Sequence, residues 1–306
     1  MISVVIPLYN KCDSIGRAIQ SVLDQTFKDF EIIIIDDGST DGSANIAQSF
    51  ADERIRVFKQ KNAGVAAARN RGIDTANGEF IALLDADDEW KHDFLSTQFN
   101  LTQHYRNCDV FAVNYQFRDP KGFILPTIIN DLPFTEEDGV LTNYFTVASV
   151  SHPPICSISV MARKKAFKKI GGFPMGIQSG EDLLTWARLA CECKIAYSRK
   201  VCATYNLGEG YDFANKPPRR QDKGDPVGKA LEELNKRYQP KGMNQYLSHW
   251  HKMRASVAIR YFERIETLKE VFQSLKFQPN NRKILPFLIL PLLPKLLLKK
   301  IFIAHQ

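Results

Sequence analysis

The stretch Phe80-Ile81-Ala82-Leu83-Leu84-Asp85-Ala86-Asp87-Asp88 runs from five apolar residues directly into three carboxylates. A continuously apolar run of this length is typical of a strand that is buried on both faces. Three carboxylates in four residues repel one another unless a cation neutralises them. Because Mg²⁺ and Mn²⁺ prefer oxygen ligands, the stretch predicts a strand that ends at a divalent-metal site. The alternative is an acidic turn that caps the following helix.

Strand and helix patterns alternate through the first hundred residues. Short apolar runs rich in β-branched residues predict the strands, and apolar residues at helical spacing predict the helices between them. The expected strands are residues 3–8, 30–35, 55–58 and 80–84, and the expected helices are residues 14–25, 42–51 and 65–76. Apolar strands separated by helices favour an α/β fold with a mostly parallel central sheet, covered on both faces.

Polar clusters follow three of these strands, at the edge of the sheet where α/β proteins bind ligands. Tyr9 follows the first strand, and its ring suits either stacking on a base or simple packing. Asp36 opens the cluster Asp36-Asp37-Gly38-Ser39, where a carboxylate can accept a hydrogen bond from a base or a ribose. Asp-Gly turns are common, so this cluster alone does not indicate a function.

Charged residues also stand at two expected helices farther along. Arg69 lies in the helix after Gly64, where it either approaches phosphates, braces acids or belongs to close helix–sheet packing. Glu181 and Asp182 precede a helix expected over residues 183–193, where the helix dipole by itself favours acids. A carboxylate at this place also suits a general base that takes the proton of an attacking hydroxyl.

The second half of the chain is less regular. Strands are expected at residues 110–117 and 158–161, and a basic helix at residues 163–170. Residues 207–227 are rich in Gly, Pro and charge, which predicts a linker or mobile loop. Residues 228–278 form a helical extension with patterns at 229–238 and 244–275, and residues 279–306 form an apolar, basic tail.

The net charge of +7 is concentrated at the C-terminus. No acidic residue follows Glu270, whereas six cations do: Lys276, Arg282, Lys283, Lys295, Lys299 and Lys300. Residues 284–294 are uncharged but contain three prolines and fall short of the about 20 residues that span a bilayer. This pattern favours a tail that lies on an anionic membrane surface. The alternative is a tail packed on the catalytic domain or on a second subunit.

The termini and cysteines bear on localisation. The N-terminus has neither a basic segment nor a small-residue cleavage site, so we expect no secretory signal. Six scattered cysteines in a chain of 306 residues are most simply reduced thiols of a cytosolic compartment. Together with the tail, these features predict a cytoplasmic protein, peripheral on the cytoplasmic face of the membrane, without a nucleic-acid partner.

Nine short motifs in the first 205 residues together resemble the family 2 glycosyltransferases of the GT-A fold. In chain order they are Val4-Val5-Ile6-Pro7-Leu8-Tyr9-Asn10, Ser21-Val22-Leu23-Asp24-Gln25-Thr26, Ile35-Asp36-Asp37-Gly38-Ser39-Thr40-Asp41, Asn62-Ala63-Gly64, Ala68-Arg69-Asn70, Asn77-Gly78-Glu79-Phe80, Leu84-Asp85-Ala86-Asp87-Asp88, Gly171-Gly172-Phe173 and Gly180-Glu181-Asp182. Each motif is short, but the ordered set is hard to obtain by chance.

The resemblance implies an inverting, metal-dependent transferase that uses a nucleotide-diphosphate sugar. Its catalytic domain would be residues 1–206, with a nucleotide-sugar half at 1–100 and an acceptor half at 101–206. The nucleotide-sugar site would contain Pro7, Tyr9, Asp36, Arg69, Asp85 and Ala86. We favour a UDP-sugar, because Asp36 can accept a hydrogen bond from a uracil N–H.

The resemblance also implies the roles of the acids. Asp85 and Asp87 would hold a divalent metal, Mn²⁺ or Mg²⁺, and Asp182 would be the single general base, with Glu181 supporting it. The acceptor would be a hydroxyl of a lipid-linked or polysaccharide-precursor glycan.

Other classes of protein fit less well. A dinucleotide-binding oxidoreductase needs a Gly-x-Gly-x-x-Gly turn after the first strand, where this chain has Pro7-Leu8-Tyr9-Asn10. A phosphatase of the haloacid dehalogenase type expects Thr or Val two residues after its second Asp, and Glu89 stands there. A sugar-nucleotide synthesising nucleotidyltransferase remains an alternative, although it usually carries a Gly-rich basic loop after strand one. A non-catalytic, membrane-bound sugar-nucleotide or scaffold protein is a further alternative, although the intact acids argue against it.

Overall fold

A computed structural model describes residues 1–208 and 221–303, with side chains as far as residue 301. Residues 209–220, in the expected linker, and the last three residues lie outside the described part. The strands are β1 Ile2–Leu8, β2 Phe30–Asp36, β3 Ile55–Lys59, β4 Phe80–Leu83, β5 Glu89–Trp90, β6 Val110–Arg118, β7 Ile124–Pro126, β8 Asp138–Val140, β9 Val160–Arg163 and β10 Ile195–Asn206.

The helices follow the expected positions closely in the first hundred residues. They are α1 Ile15–Leu23, α2 Ser43–Gln48, α3 Val65–Thr75, α4 Phe94–His104, α5 Tyr144–Val150, α6 Lys164–Lys169, α7 Glu181–Glu192, α8 Pro226–Tyr238, α9 Met243–Arg260, α10 Arg264–Phe277, α11 Pro286–Ile289 and α12 Lys295–Ile303.

One mixed sheet organises the catalytic half, in the order β3-β2-β1-β4-β9-β6-β10-β5. The four strands from β3 to β4 are parallel, as the apolar runs predict. Beyond them β9 is antiparallel to both β4 and β6, while β6 and β10 pair in parallel. The sheet is therefore parallel from β3 to β4 and mixed beyond β4.

Strand β10 was not anticipated from the sequence, although it pairs with β6 over most of its length. Its apolar pattern is interrupted by Arg199 and Lys200, both exposed, and the pairing register shifts between Ser198 and Val201. A bulge inserts residues that break the period of two on which a strand is recognised. The alternation is therefore lost at Arg199 and Lys200, and the sequence pattern does not predict β10.

The parallel strands are buried on both faces. Val5 of β1 belongs to the core beneath α3, whereas Val4 and Ile6 belong to the core beneath α1. Successive strand residues point to opposite faces, so a strand covered on both sides must be apolar throughout. Full burial of each aliphatic side chain contributes about 1.5–3 kcal/mol, and this fixes the strand ends that carry the polar clusters.

The helical extension packs directly on the catalytic half. Helix α9 contacts α5, and α8 contacts α7. The expected helical pattern at 244–275 is divided into α9 and α10 by a turn in which Phe262 takes a φ of 61°. Trp250 of α9 is buried in the same core as α7, which begins with Glu181.

The tail, residues 279–306, buries only some of its apolar side chains against the helical extension. Ile284 is buried with Val271 of α10, and Leu298 of α12 is also buried. Leu292 and Leu296 remain 76% and 77% exposed. In the part of the chain that the structure describes, no helix combines the length and the hydropathy required to cross a bilayer.

A close contact between α3 and β1 gives a test of the core. A Cβ built at Gly72 would lie 2.3 Å from Val5 Cγ1, so Gly72→Ala should lower the free energy of unfolding by about 1–3 kcal/mol through overpacking. Gly16→Ala in α1 is the matched control, because its Cβ would meet only Ile46 Cγ2 at 3.9 Å. This control should be neutral or stabilising by up to about 1 kcal/mol. Equal urea midpoints for both variants would contradict the packing assignment.

Candidate active site

The polar clusters after β1 and β2 are joined into one surface by hydrogen bonds. The Asn10 N–H donates to Ser39 Oγ at 3.1 Å, and the Thr40 N–H donates to Asn10 Oδ1 at 2.8 Å. Asn10 has a φ of 51°, a left-handed conformation that Asn adopts more readily than most residues. The exposed ring of Tyr9 stands beside this junction, and Pro7 is half-buried in β1.

The neighbouring acids Asp36 and Asp37 have different tasks. Both oxygens of Asp37 accept hydrogen bonds, from Gln60 Nε2 and from the N–H groups of Ala63 and Gly64, at 2.8–2.9 Å. Asp37 thereby ties the end of β2 to the start of α3. Asp36 is as buried as Asp37, at 3% exposure, but its carboxylate accepts one hydrogen bond, from the Ser39 N–H at 3.0 Å, where that of Asp37 accepts three.

The three acids after β4 differ in exposure and in partner. Asp88 is 2% exposed and accepts a hydrogen bond from the Asn206 N–H at 2.7 Å. Burial, followed by the charges of Asp85 and Asp87, raises the pKa of Asp88 well above its usual range. The side chain of Asp87 is 40% exposed, and its Oδ2 lies 2.5 Å from Lys11 Nζ. Asp88 is therefore a buried acid bonded to the backbone, whereas Asp87 is accessible to solvent beside a lysine.

Arg69 connects this cluster to the second half of the chain. Its side chain is 4% exposed, and Nη2 donates to Asp85 Oδ1 at 2.7 Å and to Ser157 Oγ at 2.9 Å. Nη1 lies 3.8 Å from Glu181 Oε1. Burial lowers the pKa of Arg69, but the charges of Asp85, Asp182 and Glu181 outweigh this and raise it. The guanidinium thus remains charged between two groups of acids.

Glu181 and Asp182 begin α7, two residues before the start at residue 183 that the sequence pattern indicated. Burial raises the pKa of Asp182, partly offset by the charge of Arg69 and by a 2.7 Å hydrogen bond from the Leu183 N–H. A raised pKa makes a carboxylate a stronger base once it is ionised. The preceding Gly180 has a φ of 88° and packs so closely that a Cβ there would meet the Trp250 ring at 2.8 Å.

The structure therefore brings together Arg69, Asp85, Glu181 and Asp182 through direct contacts or charge, with Asp87 and Ala86 on the same loop. Asp36, Tyr9 and Pro7 lie at the ends of the adjacent strands β1 and β2. Three contributors were not expected from the sequence: Lys11, Ser157 and Asn206. Lysine, serine and asparagine are ordinary surface residues, so only their position in the fold distinguishes them.

Asp85 and Asp87 suit a divalent cation. Carboxylate oxygens are the donors that Mg²⁺ and Mn²⁺ prefer, and one or two of them commonly suffice when phosphates complete the shell. The side chains of Asp85 and Asp87 are 23% and 40% exposed, so both carboxylates are accessible to an ion from solvent. These residues therefore fit the metal that the family resemblance implies.

A second group of metal-type side chains lies in the helical extension. Asp225, His251 and Glu270 are, within residues 1–208 and 221–303, the one group of three whose ligand atoms all lie within 4.8 Å of one another. Arg254 already pairs with Asp225 at 3.3 Å and with Glu270 at 2.6 Å, while His251 Nδ1 lies 2.7 Å from Glu270. Both oxygens of Glu270 therefore already have partners within the protein, and the group forms an ion-pair network.

Comparisons with known proteins agree with this architecture. The family model described as "Glycosyl transferase family 2" matches residues 3–171. TuaG of Bacillus subtilis, which bears the name of a teichuronic acid biosynthesis glycosyltransferase, is 34% identical over 221 residues, 71% of this chain and 82% of TuaG. An uncharacterized glycosyltransferase of Rickettsia felis is 37% identical over 211 residues, 68% of this chain. The match spans only about a third of that relative, 33% of its length.

The fold is also found in a solved structure. The crystal structure of Staphylococcus aureus TarS 1–349 superposes with a TM-score of 0.66 and 17% identity, covering 99% of this chain and 88% of that one. TarS 1–349 in complex with UDP-GlcNAc gives a TM-score of 0.65. At this identity the likeness concerns the fold, and it confirms the predicted GT-A α/β sheet with a helical C-terminal region. With its family model matched over more than half of its length, the chain belongs to glycosyl transferase family 2.

Proposed function

We propose that the protein transfers a sugar from a UDP-sugar to an acceptor hydroxyl, with inversion at the anomeric carbon. The observation that carries the proposal is the buried guanidinium of Arg69, which lies 2.7 Å from Asp85 and 3.8 Å from Glu181. Arg69 thus lies between Asp85, a proposed metal ligand, and Glu181, the neighbour of the proposed base. Family membership and the UDP-GlcNAc complex of the similarly folded TarS support a nucleotide-sugar donor.

The donor would lie across the ends of β1, β2 and β4. Tyr9, whose ring is 49% exposed, would stack on the base, with Pro7 beneath it. The carboxylate of Asp36 would accept the uracil N–H. Arg69, Asp85 and Ala86 would line the sugar side of the same site. Asp85 and Asp87 would hold Mn²⁺ or Mg²⁺, whose role when bound is to neutralise the departing diphosphate.

Catalysis requires one proton transfer by the protein. Asp182 would take the proton of the acceptor hydroxyl as its oxygen attacks the anomeric carbon from the face opposite the nucleotide. The new bond to the acceptor forms while the bond to the diphosphate breaks, so the configuration inverts and UDP leaves. Glu181 would support this step by holding Arg69 in place.

The acceptor would be a lipid-linked or polysaccharide-precursor glycan. This is supported by the name of TuaG, a teichuronic acid biosynthesis glycosyltransferase of which the match covers 82%. The tail adds an argument of its own, because exposed Leu292 and Leu296 stand next to Lys295 and near Lys299. Apolar groups interleaved with cations suit an anionic bilayer surface, which would concentrate a lipid-linked acceptor near the active site.

The metal site is tested by nucleotide binding. Isothermal titration with UDP should show affinity that increases with Mn²⁺ or Mg²⁺, and Asp87→Ala should lose this increase because a ligand oxygen is missing. Asp74→Ala, at an exposed position near the end of α3, is a control that removes one carboxylate elsewhere. UDP binding that ignores both divalent metal and the Asp87 substitution would exclude the metal site.

The base is tested by kinetics and pH. Asp182→Asn should leave UDP affinity nearly unchanged and reduce transfer by about 10²–10⁴-fold, whereas Glu181→Gln should cost less. Because the pKa of Asp182 is raised, its ionised fraction falls at a pH where an ordinary Asp is still charged, so wild-type transfer should decline as pH falls toward this pKa. The decline should be absent from the residual activity of Asp182→Asn. Wild-type transfer rates in that variant at saturating donor would disprove the assignment.

The membrane role is tested by flotation. Truncation after Gln278 should release the protein from vesicles that contain anionic lipid, while donor hydrolysis persists. Because the truncation also uncovers Val271, a full-length Leu292→Gln, Leu296→Gln variant should reproduce the release with the packed residues Ile284 and Leu298 intact. If the full-length and truncated proteins float equally poorly, the tail serves only for packing.

A further inference from the structure

Lys11 is a cation whose backbone is held by hydrogen bonds, whereas its side chain is half-exposed. Its N–H donates to Ser43 Oγ at 2.8 Å, and its carbonyl accepts from the N–H groups of Ser14 and Ile15 at 3.2 and 2.9 Å. The next N–H, of Cys12, donates to Asp41 at 2.9 Å. The side chain itself is 42% exposed. A lysine ammonium on four flexible carbons can therefore change partner without any movement of the backbone.

The partner of Lys11 is held just as firmly. Lys11 Nζ lies 2.5 Å from Asp87 Oδ2, whose carboxylate belongs to the proposed metal site. The carbonyl of Asp87 accepts from Arg17 Nη2 at 3.2 Å and from Asn206 Nδ2 at 2.9 Å. These two donors anchor the loop, so the Lys11 side chain is the part of this contact that can yield.

The charges around the acids show why such a cation is needed. Arg69 neutralises Asp85 from inside the protein, and the buried Asp88 accepts a hydrogen bond from the Asn206 N–H. Lys11 balances Asp87 from the solvent side. A divalent ion bound to Asp87 would bring a second positive charge within a few ångströms of the ammonium, where like charges repel.

We propose that Lys11 is an internal counter-ion that competes with the divalent metal for Asp87 and moves to the donor diphosphate when the metal binds. The inference rests on the metal site of the proposed function and assigns Lys11 a positioning role there. The diphosphate offers the displaced ammonium an anionic partner, so donor and metal each favour the binding of the other. The metal-free carboxylates meanwhile stay neutralised.

The test is a titration of Mn²⁺ in the absence of nucleotide, with free Mn²⁺ measured by its electron paramagnetic resonance signal. Lys11→Met should bind Mn²⁺ about two- to fivefold more tightly than the wild type, because the competing cation is gone and a half-exposed ion pair contributes up to about 1 kcal/mol. Lys200→Met is the matched control. It removes an equally exposed lysine from a 2.7 Å pair with Asp93, which is not among the acids of the site, and should leave the Mn²⁺ affinity unchanged.

A second titration measures the link between the ligands. UDP should increase Mn²⁺ affinity by a smaller factor in Lys11→Met than in the wild type, since the ammonium no longer transfers to the diphosphate. Equal or weaker Mn²⁺ binding by Lys11→Met, while the Asp87→Ala variant loses binding, would overturn the counter-ion role and leave the metal site standing. Absence of Mn²⁺ binding from both wild type and Lys11→Met would overturn the metal site and the inference together.

Discussion

A buried arginine is the constraint on which the site depends. Arg69 lies in the core between Asp85 and Glu181, and charge inside a protein is tolerated only with partners of opposite sign. Removing one partner of a buried pair typically costs about 3–5 kcal/mol, because the other charge remains unpaired. The end of β4 and the start of α7 are therefore held in one arrangement, and the acids cannot separate without stranding the guanidinium.

The mixed part of the sheet and the helical extension both help to hold the residues around Arg69 in place. Antiparallel β9 lies beside β4, and the loop before it supplies the Ser157 hydroxyl to Arg69. Trp250 of α9 packs against Gly180, where even a methyl group would not fit without movement. The extension thus forms part of the support of Asp182 as well as an appendage to the catalytic half.

The two cations that pair with Asp85 and Asp87 differ in how firmly their side chains are held. Arg69 is buried and bonded to both Asp85 and Ser157, so it acts as a permanent brace. Lys11 is half-exposed and holds Asp87 through a single flexible side chain. A cluster of three acids neutralised in part by a fixed charge and in part by a movable one can accept another cation without the loss of its fold.

The sequence by itself determined the parallel strands and the acids at their ends. Strands buried on both faces must be apolar throughout, and the abrupt change to Asp85 in the chain marks the edge of the sheet. The family motifs implied in addition that the acids after β4 and Asp182 belong to the same active site. These features are local, so they can be predicted from consecutive residues.

Only the tertiary structure decided how the charges pair. Arg69 and Glu181 are far apart in the chain, as are Lys11 and Asp87, and no local pattern predicts which cation meets which acid. Strand β10 escaped the sequence pattern because Arg199 and Lys200 interrupt it at a bulge, yet it supplies Asn206 to Asp88. Ion pairs and bulges form where segments that are distant in the chain approach each other. Tertiary packing determines this approach, and the periodicity of the sequence does not reveal it.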